Sequence, residues 1–161
     1  MDGLTVAIRR CNLKLKLDNE TEGQGNCFPN SIVQQCRRPE LREWLKQKKP
    51  SAIFNGQQWV RRKVTHFALS SNHGSIIDLT AKYEQEIQQV ESRSWIEYWN
   101  HMAQDGIWVD HMFVQMVAWY MELDIMILTT SSSPEAPFIF ISGNIDKIGV
   151  QKNGPSILLG N

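Results

Sequence analysis

The residues best suited to chemistry in this 161-residue chain surround one thiol. The stretch Glu22-Gly-Gln-Gly-Asn-Cys-Phe-Pro-Asn-Ser-Ile32 runs through two glycines into Cys27, and Pro29 follows two residues later. Pro29 suits the first turn of a helix, where its missing N–H is not needed. A cysteine at that point feels the partial positive charge of a helix N-terminus, which favours the thiolate, the nucleophilic form. Gly23 and Gly25 let backbone N–H groups turn towards a common point, as an oxyanion hole requires, and Gln24 brings a side-chain donor to the same place. The loop therefore holds a candidate nucleophile, Cys27, with candidate oxyanion donors at Gln24, Gly25 and Asn26. The plainer alternative is a buried, inert thiol, the usual state of a cysteine outside disulfides. Cys11 and Cys36 have no such loop and read as packing residues of a strand and a helix.

Positioning this loop falls to a run of helices followed by short strands. Residues 12–17 alternate polar and apolar, as a half-exposed strand or extended arm does. A helix starts after Cys27, with Ile32, Val33 and Cys36 inward, and Arg37-Arg-Pro39 ends it. Pro39 opens a second helix with Leu41, Trp44 and Leu45 on its apolar face. Residues 56–71 predict a third, with Trp59, Val60, Val64, Phe67 and Ala68 inward, stopped by Asn72-His-Gly74. Residues 76–91 read as a partly exposed helix. Ser94 and Glu97 form a capping-box signature for a short helix over 94–102. Asp110 is the expected N-cap of the strongest helix, with Phe113, Met116, Val117 and Tyr120 at i, i+3, i+4 and i+7. That helix is apolar nearly all round and is expected to be central. Strands are expected over 124–130, 138–142 and 156–159. Helices first and a small sheet later, with connections too short for helical crossovers, argue for an α+β class.

Composition narrows the function. Apolar residues make up 42% and charged residues 21%, ordinary for a single globular domain. Seventeen basic and seventeen acidic side chains cancel, so no global field draws in nucleic acid or an anionic membrane. The longest apolar runs, Ile125–Leu128 and Phe138–Ile141, are far too short to span a bilayer as helices. No charged n-region followed by an apolar h-region opens the chain, so no secretory signal is expected. Three cysteines fit neither a disulfide framework nor paired zinc-ligand spacing, and a reducing cytoplasmic or nuclear setting is expected.

Two blocks carry a family resemblance. Gly25-Asn-Cys-Phe28, with Ser31-Ile32 in the following helix, resembles the cysteine loop of the ovarian-tumour (OTU) family of cysteine proteases. The stretch Trp95…Tyr98…Met102…Gly106-Ile-Trp108…Asp110, leading through Ala118 and Leu123 to Ile125-Met-Ile-Leu128, is similar to that family's central helix and strand. The blocks lie in the family's order, about eighty residues apart. The resemblance implies one OTU-like domain over 1–161, with residues 1–12 as an N-terminal arm. It implies a papain-like α+β fold, a helical layer packed on a small mixed sheet. It also implies a deubiquitinase in which Cys27 attacks the isopeptide carbonyl of ubiquitin's last glycine. The backbone N–H of Cys27 and the loop 24–26 would hold the oxyanion, and Ile107 and Trp108 would line the groove for ubiquitin's tail. The implied partner is ubiquitin, polyubiquitin or a ubiquitin-like modifier, with no metal or organic cofactor.

The chain departs from the family's pattern twice. Gln24 stands where the family usually has Asp, although a glutamine can still donate to an oxyanion. The family's histidine follows a segment resembling Pro155-Ser-Ile-Leu-Leu159, and none of the four histidines here fills that place. The expectation is that the 161 residues stop before the histidine-bearing strand. His66 reads as a helix-surface or packing residue, His73 as a solvated turn residue and His101 as packed or exposed. His111, beside Asp110, is the only tempting substitute, but the family's pattern points that helix start away from the thiol.

Those departures motivate an alternative, an inactive ubiquitin-binding pseudoenzyme. A further alternative is a helical interaction scaffold, whose locally basic stretches at Arg37-Arg38, at 46–49 and at Arg61-Arg-Lys63 would face RNA or an acidic partner. On a neutral protein these stretches read more simply as solvated faces.

Overall fold

The computed structural model describes residues 3–14, 25–48, 56–87, 89 and 92–160, and among these seven helices can be bounded ahead of a three-stranded sheet. In chain order the helices are α1 (Gly3–Arg10), α2 (Cys27–Cys36), α3 (Pro39–Lys48), α4 (Gln57–Ser70), α5 (Gly74–Glu86), α6 (Trp95–Met102) and α7 (His111–Met121). The strands are β1 (Ile125–Leu128), β2 (Phe138–Ile141) and β3 (Ile157–Gly160). The α+β class expected from the element order is the one observed.

The central helix is α7. Asp110 Oδ1 accepts the Phe113 N–H at 3.1 Å, the N-cap its sequence calls for, and Tyr98 Oη donates to the same oxygen. Phe113, Val114, Met116, Val117, Ala118, Trp119 and Met121 are all buried, and both α4 and β2 pack against α7. Glu122 then ends it in the left-handed conformation. The Ser94 cap is also present: Ser94 Oγ accepts the Glu97 N–H at 3.2 Å and donates to Glu97 Oε1 at 3.1 Å. From α6 an aromatic cluster spreads inward, with Trp99 meeting Trp95 and Tyr98 edge-on and reaching Phe113.

The sheet is mixed, in the order β2-β1-β3. β1 pairs antiparallel with β2 (Ile125 opposite Ile141) and parallel with β3 (Ile125 opposite Ile157). The link from β2 to β3 must cross past β1 without a helix. Buried Asp124 organises that crossing: Oδ1 accepts the Gly143 N–H at 2.8 Å and Oδ2 the Lys152 N–H at 2.9 Å. On the outer side of β3 the Leu158 N–H donates to Gln35 Oε1 at 3.1 Å, which fastens the sheet to α2.

The N-terminal arm expected over 1–12 is instead a helix over Gly3–Arg10. Leu4, Ala7, Ile8 and Cys11 recur at i, i+3, i+4 and i+7, and this stripe buries Ala7 and Cys11. Cys11 therefore packs just past a helix end rather than in a strand. Arg10 fastens α1 to the turn after β1, donating to Thr130 O at 2.7 Å and Ser132 O at 2.9 Å. Of the extended stretch expected over 12–17, residues 15–17 lie outside the described residues.

Candidate active site

Cys27 is the first residue of α2, and the burial of Pro29, Ile32, Val33 and Cys36 holds that helix in the core. Its thiol is half-buried. Phe28 meets Phe113 edge-on at 6.2 Å, which sets the start of α2 beside the first turn of α7. The residue that makes the approach possible is Gly25. Its φ is +86°, and a Cβ there would lie 2.0 Å from Gly106 O and 2.5 Å from Gly106 C. Only a glycine tolerates both that backbone conformation and so close a neighbouring chain. The cysteine loop and the turn carrying Ile107 and Trp108 are thus in backbone contact.

Side chains lock the contact. Asn26 Oδ1 accepts the Gly106 N–H at 2.9 Å, and Asn26 Nδ2 donates to Asp105 Oδ1 at 2.8 Å. The Asn26 amide is therefore committed to the neighbouring turn, and any donor it offers an oxyanion is its backbone N–H. Gln57, at the start of α4, donates to the same Asp105 oxygen at 2.6 Å. Arg61, one turn further along α4, reaches the centre of the arrangement with 0% of its surface exposed. It donates to Gly25 O (2.9 Å), Asn26 Oδ1 (3.0 Å), Ile107 O (2.6 Å), Met102 O (2.8 Å) and Gln57 Oε1 (3.0 Å). Burial makes this guanidinium easier to deprotonate than usual, and negative charge at Asp105 and at Cys27 acts the other way.

Arg61 overturns part of the sequence reading. The stretch Arg61-Arg-Lys63 was expected to form a solvated face. Arg62 and Lys63 are exposed, but Arg61 faces inward. A signal for this exists in the sequence, because Arg61 lies at i, i+3, i+4 and i+7 with Val64, Thr65 and Ala68, all buried. Of the other basic stretches, Arg37 and residues 46–48 are exposed and Arg38 is half-buried, while Lys49 lies outside the described residues; Arg38 pairs with Glu40, Lys46 pairs with Glu43, and Lys48 sits over the Trp44 ring.

Trp108 is 66% exposed beside the cysteine loop, while Ile107 packs partly against the core. The candidate site residues Cys27, Gly25, Asn26, Ile107 and Trp108 thus fall in one region of the molecule. Gln24 lies outside the described residues. Of the histidines, His66 is exposed on α4, His101 is half-buried in the last turn of α6, and His111 is exposed at the first position of α7. His73 is not merely solvated. Its Nδ1 accepts the Ser75 N–H at 3.1 Å as the cap of α5, which leaves Nε2–H to donate to Asp146 Oδ1 at 2.8 Å. Both ring nitrogens are engaged, and the hydrogen bond from His73 holds the Asp146 carboxyl below its ordinary range.

The three thiols are set apart by their surroundings. Cys36 is buried, and desolvation pushes it up to about 12 against a small opposing effect of Arg38. Cys11 is buried as well. Iodoacetamide applied to the folded protein is therefore expected to alkylate Cys27 first, leaving Cys11 and Cys36 unmodified until denaturant is added. Peptide mass mapping over a time course checks this order, and early modification of Cys36 would contradict it.

No protein-family model and no curated protein sequence matches the chain. Among the described residues, no three His, Cys, Asp or Glu side chains converge as metal ligands would, and no helix is long and apolar enough to cross a membrane.

Proposed function

We propose that the chain is a deubiquitinating cysteine protease of the OTU type, with a papain-like fold and Cys27 as its nucleophile. The observation that carries this reading is the backbone contact of Gly25 with Gly106. It joins the two blocks that resemble the OTU family, about eighty residues apart in sequence, at the first turn of the cysteine helix. On this reading Cys27 Sγ adds to the isopeptide carbonyl after ubiquitin's terminal glycine. The resulting oxyanion accepts hydrogen bonds from the backbone N–H of Cys27 and of the loop 24–26. Collapse expels the lysine amine, which takes a proton from the general acid, and water then releases ubiquitin from the thioester. In the family's pattern the acid and base is a histidine that follows a segment like 155–159, a place that none of His66, His73, His101 and His111 fills. Trp108 and Ile107 flank the extended tail.

Cleavage of a ubiquitin–lysine isopeptide by the protein is expected to fall to background in Cys27→Ala, a loss of about 10⁴-fold or more. Thermal unfolding should be unchanged, because the side chain is half-buried and small. Persistent cleavage by the folded variant would rule out Cys27. Ubiquitin binding with no cleavage in either protein would favour a binding module over an enzyme.

A further inference from the structure

We propose that Arg61 is the positioning residue of the nucleophile loop, its guanidinium fixing Gly25 and Asn26 against Met102 and Ile107. The proposal rests on the reading of Cys27 as the nucleophile, but not on the identity of the substrate.

Its basis is the set of acceptors. Arg61 makes three of its five hydrogen bonds to backbone carbonyls, one in the cysteine loop (Gly25), one ending α6 (Met102) and one beside Trp108 (Ile107). A fourth goes to Asn26 Oδ1, the atom that also accepts the Gly106 N–H. One planar group thus sets the spacing of three chain segments, all at the candidate site. A hydrophobic side chain of similar volume would serve packing alone, without the desolvation that a buried charge incurs. Only a guanidinium supplies rigid donors in several directions at once; a lysine ammonium is a point donor. Gln57 Oε1 holds the Nε–H, which fixes the plane of the group from α4 itself.

The test is the rate at which iodoacetamide alkylates Cys27 in folded protein at one mildly alkaline pH, with Cys11 and Cys36 followed in the same samples. Arg61→Lys keeps the charge and removes the fork. Its Cys27 rate is expected to fall by about tenfold while Cys11 and Cys36 stay protected. Simple unfolding has the opposite signature, because it would raise the labelling of all three thiols. An unchanged Cys27 rate in folded Arg61→Lys would overturn the proposal. Should that variant expose all three thiols, Asn26→Ala decides instead. It removes the acceptor shared by Arg61 and Gly106 at a position near the surface, and it too is expected to slow Cys27 alkylation severalfold; no change there would overturn the proposal. A ubiquitin electrophile applied to the unmutated protein separates the two readings. No ubiquitin adduct together with a slowed variant leaves Arg61 as positioning residue and removes the ubiquitin assignment.

Discussion

Gly25→Ala is expected to destabilise the protein by more than about 2 kcal/mol and to suppress the reactivity of Cys27. Two costs combine at this position. A non-glycine residue at φ +86° carries strain of about 1–3 kcal/mol. The added Cβ would also meet Gly106 O at 2.0 Å, Gly106 C at 2.5 Å and Ile107 C at 3.1 Å. These are backbone atoms with no rotamer to turn away, so the two segments must part. Separation breaks the Asn26 bond to the Gly106 N–H and stretches the short Arg61 bond to Ile107 O. Thermal unfolding and Cys27 alkylation measure both effects, and wild-type values for each would show that the close approach is not maintained in solution.

Asp124→Ala is expected to lower stability by about 3 kcal/mol, or roughly 6–12 °C in Tm for a chain of this size. The carboxylate is buried, and its two oxygens each accept one backbone N–H, from Gly143 and Lys152. Truncation leaves two donors without their partner, and hydrogen bonds to a charged acceptor contribute about 1.5–3 kcal/mol each. Reorganisation is blocked at one end, since a Cβ on Gly143 would already meet the Leu123 backbone at 2.5 Å, so that turn has little room to move. Asp124→Asn keeps one acceptor and sets an N–H₂ against the other donor, so an intermediate loss is expected. A Tm within about 2 °C of wild type for Asp124→Ala would contradict this account of how the crossing between β2 and β3 is held.

The sequence made local periodicity legible and left long-range partners hidden. Phe113, Met116, Val117 and Tyr120 announce α7 because a helix repeats its apolar face every three or four residues, and Asp110 and Ser94 announce their caps through fixed spacing. The short strands were legible as apolar runs, with ends that differ from the observed ones by one or two residues. The helix α1 is hard to read in the sequence because only Leu4, Ala7, Ile8 and Cys11 carry its stripe, and Arg9 and Arg10 obscure it. Asp124 reads only as the start of a strand. Its role depends on Gly143 and Lys152, and no spacing rule links those positions. Composition groups Arg61 with Arg62 and Lys63 as a solvated face, although helical periodicity places it on the buried one. At the site, Gly25 and Cys27 stood out from the loop alone. Their contact with Gly106 can be expected only through the family resemblance, and no local pattern marks Asn26's side chain as a bolt to Asp105 and Gly106.

The central claim, that Cys27 is a nucleophile directed at ubiquitin's C-terminal carbonyl, is tested most directly by intact-mass spectrometry after mixing the protein with ubiquitin bearing a C-terminal alkyne or vinyl electrophile. A mass increase of one ubiquitin is expected, lost in Cys27→Ala and kept in Cys36→Ala. An adduct that persists in Cys27→Ala, or no adduct in a folded protein whose Cys27 still reacts with iodoacetamide, would contradict it.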